Sequence, residues 1–168
     1  MIRSSGLVIK QVNDLHPGEL IRHDFGSGSG LLLLLEQLED KSRLFGVITS
    51  PDFARPMQYH VKRPGGECLT YGTDWVLEEL HGAETAIGTY HNHRDAKLFV
   101  DEGGPVMAFS PGERQHGYAP VYFNLAASSV QQALGTSAAA VLRWRLWTDQ
   151  DHFDSQKDPL FEMPQQES

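Results

Sequence analysis

The stretch GTYHNHRD sets His91 and His93 two residues apart. In a strand, side chains repeat every second residue, so both imidazoles would share one face with Ile87 and Thr89. Two neutral imidazoles on one face chelate a divalent metal such as zinc when a further ligand completes the site. Candidate further ligands are Asp101 and His116, together with Asp95, Glu102 and Glu113. A metal held by His91, His93, His116 and Asp101 would activate a bound water and make the chain a metal-dependent hydrolase or a related metalloenzyme. The same spacing also fits two ordinary histidines at a strand end, because His-x-His is short and imidazoles are common on surfaces.

The segment IGTYHNHRD is similar to the His-x-His segment of JAB-type metalloisopeptidases, and LFGVIT to their entry strand. That family places a serine and an aspartate at fixed positions after the second histidine. Here Asp101 stands at the serine-like distance, and no serine occurs before Ser110. The run HNH…FVDEGGPVMAFSPGERQHG resembles a cupin first motif. The metal-binding glutamate of that motif is missing, since Ala96, Lys97 and Leu98 occupy its region. Neither family is assigned on these residues.

Other constellations carry less chemistry. Gly26, Gly28 and Gly30 precede five leucines, but a dinucleotide fingerprint needs its third glycine one position later, and no Lys-Ser or Lys-Thr follows to make a P-loop. A bend admitting a buried strand is the better reading. The single cysteine, Cys68, stands beside Glu67, and a nearby acid raises a thiol's pKa. No Gly-x-Ser-x-Gly elbow occurs. Near the end, QKDPLF loosely resembles peptides that dock on bacterial sliding clamps, with its leucine displaced from the usual position. Leu160 and Phe161 are accordingly candidate partner-binding residues in a polar, acidic segment, unless they pack back on their own domain.

These residues must be positioned by β structure. Short apolar runs alternate with turn chemistry: GLVIKQV, ELIRHDF, LLLLLEQL, RLFGVIT, MQYHVKR, ECLTYGT, TAIGTYHNH, a hairpin across Gly103-Gly104, PVYFNLA and AAVLRWRLW. Pro17-Gly18 suits the centre of a type II turn. Leu31–Leu38, apolar on both faces, predicts a central strand covered on both sides. TDWVLEELHG and SSVQQALG read as short helices, capped by Thr73 or Asp74 and by Ser128 or Ser129. The fold class is mainly β (α+β): a single-domain antiparallel β-sandwich or barrel-like sheet with one or two short helices. The expected division is a β-rich domain over 1–148 and an acidic, flexible tail over 149–168; deleting residues 150–168 would leave the melting temperature nearly unchanged while weakening partner capture.

Of the net charge of −8, the last twenty residues carry −5 and the rest −3. No basic stripe is present for a phosphate backbone, which disfavours direct nucleic-acid binding. No apolar run reaches membrane-spanning length, and one cysteine excludes an internal disulfide. The sequence therefore predicts a cytoplasmic, non-enzymatic binding or accessory protein. It would act on a protein partner through exposed sheet edges and aromatics such as Tyr59, Tyr71 and Trp147, with a homo-oligomer left open. The His91-x-His93 metalloenzyme is the alternative.

Overall fold

A computed structural model describes residues 6–52, 57–80, 98–111 and 119–163. Strands β1 (Val8–Gln11), β2 (Leu20–Asp24), β3 (Ser29–Gln37), β4 (Arg43–Thr49), β5 (Met57–Val61) and β6 (Glu67–Gly72) form a first sheet in the order β1-β6-β2-β3-β4-β5. β7 (Val76–Glu79) belongs elsewhere. β8 (Leu98–Asp101), β9 (Gly104–Phe109), β10 (Val121–Asn124), β11 (Ser129–Gln131) and β12 (Ala139–Val141) form a second sheet in the order β11-β10-β9-β8-β12. β13 (Trp144–Trp147), a five-residue helix α1 (Gln150–Asp154) and β14 (Phe161–Met163) complete the described chain, and β14-β13-β7 is a third, three-stranded sheet. Every strand pair within these sheets is antiparallel, and none of the sheets closes into a barrel.

The leucine block is the centre of this arrangement. Leu31, Leu33 and Leu35 face a core shared with Leu98, Met107, Phe109 and Phe123 of the second sheet and Trp144, Leu146 and Phe161 of the third. Leu32 and Leu34 face the other way, into a separate cluster with Leu15, Ile21, Phe45 and Val47. All five leucines are at most 6 % exposed, as a strand with two covered faces requires. Pairing with β4 slips its register between Leu31 and Leu32 and again between Leu34 and Glu36. Such bulges increase local twist and help the sheet coil around its second cluster.

Two glycines fix the geometry. Gly18 has φ +90°, and Glu19 N–H donates to His16 O at 3.1 Å, which is the turn that Pro17-Gly18 predicts. Gly46 lets the two sheets approach closely: a Cβ there would lie 2.3 Å from Cε1 of Phe109. The ring therefore lies directly on the β4 backbone.

Three expectations are corrected. Residues 76–79 of TDWVLEELHG are a strand, because Leu77 turns to the core while Glu78 lies opposite Arg145 on β13; cross-strand partners override helix propensity. Residues 129–131 of SSVQQALG are a strand as well. Ser128 takes φ +49°, unlike the extended backbone of an N-cap, and reverses the chain from β10 into β11. The segment from 149 is not detached: Asp149 caps α1 by accepting from His152 N–H at 2.8 Å, and β14 adds a strand beside β13. Its acidity misled because its few apolar residues supply the third sheet with its edge.

Candidate functional site

Of the predicted metal set, His91, His93 and His116 lie outside the described residues, as do Asp95 and Glu113. Asp101 is described, and its carboxylate is already engaged. Oδ1 accepts from Gly103 N–H at 2.8 Å; Oδ2 accepts from Gln131 Nε2 at 2.9 Å and from Gly135 N–H at 3.3 Å. The Gln131 bond chiefly holds this carboxyl below its ordinary pKa, against partial desolvation and with help from the two backbone donors. Asp101 thus ties the β8–β9 turn to the segment after β11. Among the described residues no three His, Cys, Asp or Glu side chains gather into a metal-holding group.

The predicted partner anchors are inside the domain. Phe161 is 8 % exposed, with its ring 5.0 Å from that of Trp144, and Leu160 packs on the same core. Trp147 is also covered: Phe153 of α1 lies 5.9 Å away edge-on, and the indole N–H donates to Glu78 Oε2 at 3.0 Å. Phe161 is therefore a core residue with half-buried Leu160 packed against that core, and Trp147 offers no surface. Tyr59 and Tyr71 are half-buried. The glycine-rich stretch is the β2–β3 connection, where Gly26 N–H donates to Asp24 Oδ1 at 2.8 Å and a strand, not a helix, follows.

Most of the large apolar side chains left facing water among the described residues lie at one end of the first sheet. Registers place Ile9, Leu69, Arg22 and Leu31 in one row across β1, β6, β2 and β3, so all four point to the face that carries the main core. Leu31 is covered by the other sheets. Beyond it the cover ends: Arg22 is exposed, Leu69 is 39 % exposed and Ile9 is 65 % exposed. With Val8 at 61 %, three of the four exposed large apolar residues among those described fall on the β1–β6 pair.

A buried polar hub holds that pair in place. Glu19, only 3 % exposed, accepts from Lys10 Nζ of β1 at 2.6 Å and His16 N–H at 3.0 Å through Oε1, and from Thr70 Oγ1 of β6 at 3.1 Å through Oε2. Burial pushes its carboxyl pKa up, but bonds from Lys10 and His16 and the lysine charge together draw it below the ordinary value. Burial raises the neighbouring Cys68 thiol, the Glu19 charge raises it further, and Lys10 opposes them. The direction is the one the sequence suggests, but burial is the main cause, and the acid that adds to it is Glu19 rather than the adjacent Glu67.

A hydroxyl–imidazole contact lies between the start of β4 and β5: His60 Nε2 is 2.8 Å from Ser42 Oγ, which donates to Asp40. Ser42 is wholly buried and its oxygen sits between the acid and the imidazole, so the order needed for a nucleophile is absent. No sequence signal joins these residues, since the β4–β5 register alone brings His60 opposite Leu44.

Among the described residues, no strand pairs with the outer edge of β1. Val12 N–H donates to Gly66 O at 2.9 Å, and the β1–β6 register continues that ladder through Lys10↔Cys68 and Val8↔Thr70. Antiparallel pairs alternate, so the N–H and C=O of Ile9 and Gln11 point away from β6. At the opposite edge, β5 is occupied: Gln58 N–H donates to Ser110 O at 2.9 Å. No helix in the described residues is long and apolar enough to cross a membrane. Comparison of the chain with family models, with curated proteins and with solved structures returns no match.

Proposed function

We propose that this chain is a non-enzymatic binding protein that engages a protein partner through the β1–β6 end of its first sheet. The observation that carries this reading is the uncovered row Ile9–Leu69–Arg22, an inner sheet face continued past its covering layer. Exposed apolar side chains gathered beside an unpaired strand edge are the features by which sheets recognise extended segments and other sheets. The described polar groups that resemble catalytic parts, Asp101, Cys68 and Ser42–His60, are each bound into the fold.

Affinity capture from the native cell tests the reading, comparing the wild-type chain with Leu69→Asp and with Asp52→Ala on a remote exposed loop. Loss of specific partners with Leu69→Asp, and their retention with Asp52→Ala, is expected. Equal capture by all three would refute the role of this face. Stoichiometric zinc or another divalent metal in the same preparation, lost in His91→Ala together with a hydrolytic activity, would replace the binding reading with the metalloenzyme.

A further inference from the structure

The geometry points to a specific occupant for the open edge of β1: the β1 strand of a second copy of this chain, paired antiparallel about a twofold axis. This inference rests on the reading of the β1–β6 end as the interaction surface.

A twofold pair must be self-complementary, because the same residues meet from both sides. Main-chain bonds across the joint come only from the outward-facing positions, which are Ile9 and Gln11. The register that sets Ile9 against Ile9 of the second copy also sets Val8 against Lys10. Val8 then packs on the aliphatic stem of a lysine whose ammonium is held by Glu19 at 2.6 Å. Slipping the strands one way brings Lys10 directly against Lys10, which like charges oppose. Slipping them the other way runs the pairing into Gly6, whose φ of +72° leaves the extended conformation. The Ile9-centred register therefore avoids both the lysine clash and the left-handed glycine. Lysine often protects a strand edge from such pairing, but here its salt bridge fixes it on the sheet face carrying Thr70 and Glu19.

The joined sheets would run Arg22–Leu69–Ile9 and then Ile9–Leu69–Arg22 across the axis. Two short uncovered patches become one continuous apolar strip closed by a guanidinium at each end. The self-pair thus builds a larger floor for the partner than either chain offers alone. Because the joining strands are short, the buried area falls below that of a standard stable interface, and association is expected to be weak and concentration-dependent.

The test uses the full chain in sedimentation and thiol crosslinking. Ile9→Pro removes only the outward N–H, leaving the bonds of Lys10 and Val8 to β6; it should weaken self-association by roughly tenfold or more without altering the circular dichroism spectrum. In a Cys68→Ser background, Ile9→Cys should oxidise to a covalent dimer, since hydrogen-bonded antiparallel partners sit about 5.5 Å apart at Cα, within disulfide reach. Lys10→Cys should not crosslink in the same way. A chain that stays monomeric at the highest accessible concentration, or equal crosslinking through Lys10→Cys, overturns the inference. If the chain is monomeric while Leu69→Asp still abolishes partner capture, self-pairing fails and the binding face stands; if it dimerises as predicted while Leu69→Asp captures normally, the reverse holds.

Discussion

The two ends of the first sheet obey the same alternation of side chains and meet opposite fates. Across β3 and β4, both faces are covered, and Phe109 from the second sheet lies on Gly46 with no room for a methyl group. Across β1 and β6, the same inner face carries Ile9 and Leu69 into water. Strand patterning is equal in both places. What differs is whether a second layer exists opposite, and that is decided by long-range topology. An apolar residue on a strand is therefore a statement about a face, and becomes core or contact surface according to what lies across from it.

Removing the cover should cost most at its last-added piece. Phe161→Ala deletes a ring packed on Trp144, and should lower unfolding stability by about 3–5 kcal/mol in urea titration. Truncation at Asp149 should lower the melting temperature sharply, reversing the expectation from composition. A truncated chain that melts like the full one would mean that β14 and α1 do not complete the third sheet.

The next effect probes the sheet-to-sheet contact itself. Gly46→Val forces branched atoms into the Phe109 ring, and should destabilise by about 3 kcal/mol through overpacking. Pairing it with Phe109→Ala should recover part of that loss, because the two changes share one contact. Additive losses would show that the ring is not seated there.

Much of this was legible in the chain. Arg43–Thr49 is a strand with the bounds its β-formers imply, Pro17-Gly18 makes its turn, and five leucines apolar on both faces lie where a central strand belongs. Failures occurred where long-range pairing decided the outcome. Val76–Glu79 has helical composition, but its Glu78 is wanted opposite Arg145, 67 residues on. Leu160 and Phe161 sit among acids that suggest solvation, yet β13 offers an edge for them. The β1–β6 face could not be read at all. Ile9 and Leu69 look like any core residues in a strand, and only the extent of the opposing sheets leaves them bare.

The Glu19 hub lies between covered and open ends, and pH reports on it. Its folded pKa is below the ordinary glutamate value of 4.5. The stability it contributes is therefore complete above the unfolded-state pKa and is lost as pH falls through the lower folded value. Glu19→Gln should cost about 1–3 kcal/mol near neutral pH, a discounted figure because Lys10 is partly exposed. The wild-type and variant curves should converge in acid. A constant offset at all pH values would show that shape, rather than charge, is what the hub supplies.

The smallest stability change should fall at the open end, where it separates the two fates most cleanly. Ile9→Thr keeps a β-branched side chain and removes part of an apolar surface already 65 % exposed. Its effect on urea midpoint should stay within about 0.5 kcal/mol, as for surface substitutions remote from packing. Ile48→Thr places the same loss of apolar surface on β4 under full cover, at 4 % exposure, and adds a hydroxyl that the core must leave unbonded. It should cost several times more. A ratio near one would mean that Ile9 is also buried in solution. Since no described part of the chain covers more of that residue, the extra cover would point to another molecule. Dilution would then decide the source: a cost at Ile9 that fades as the protein is diluted comes from a second copy, and one that persists does not.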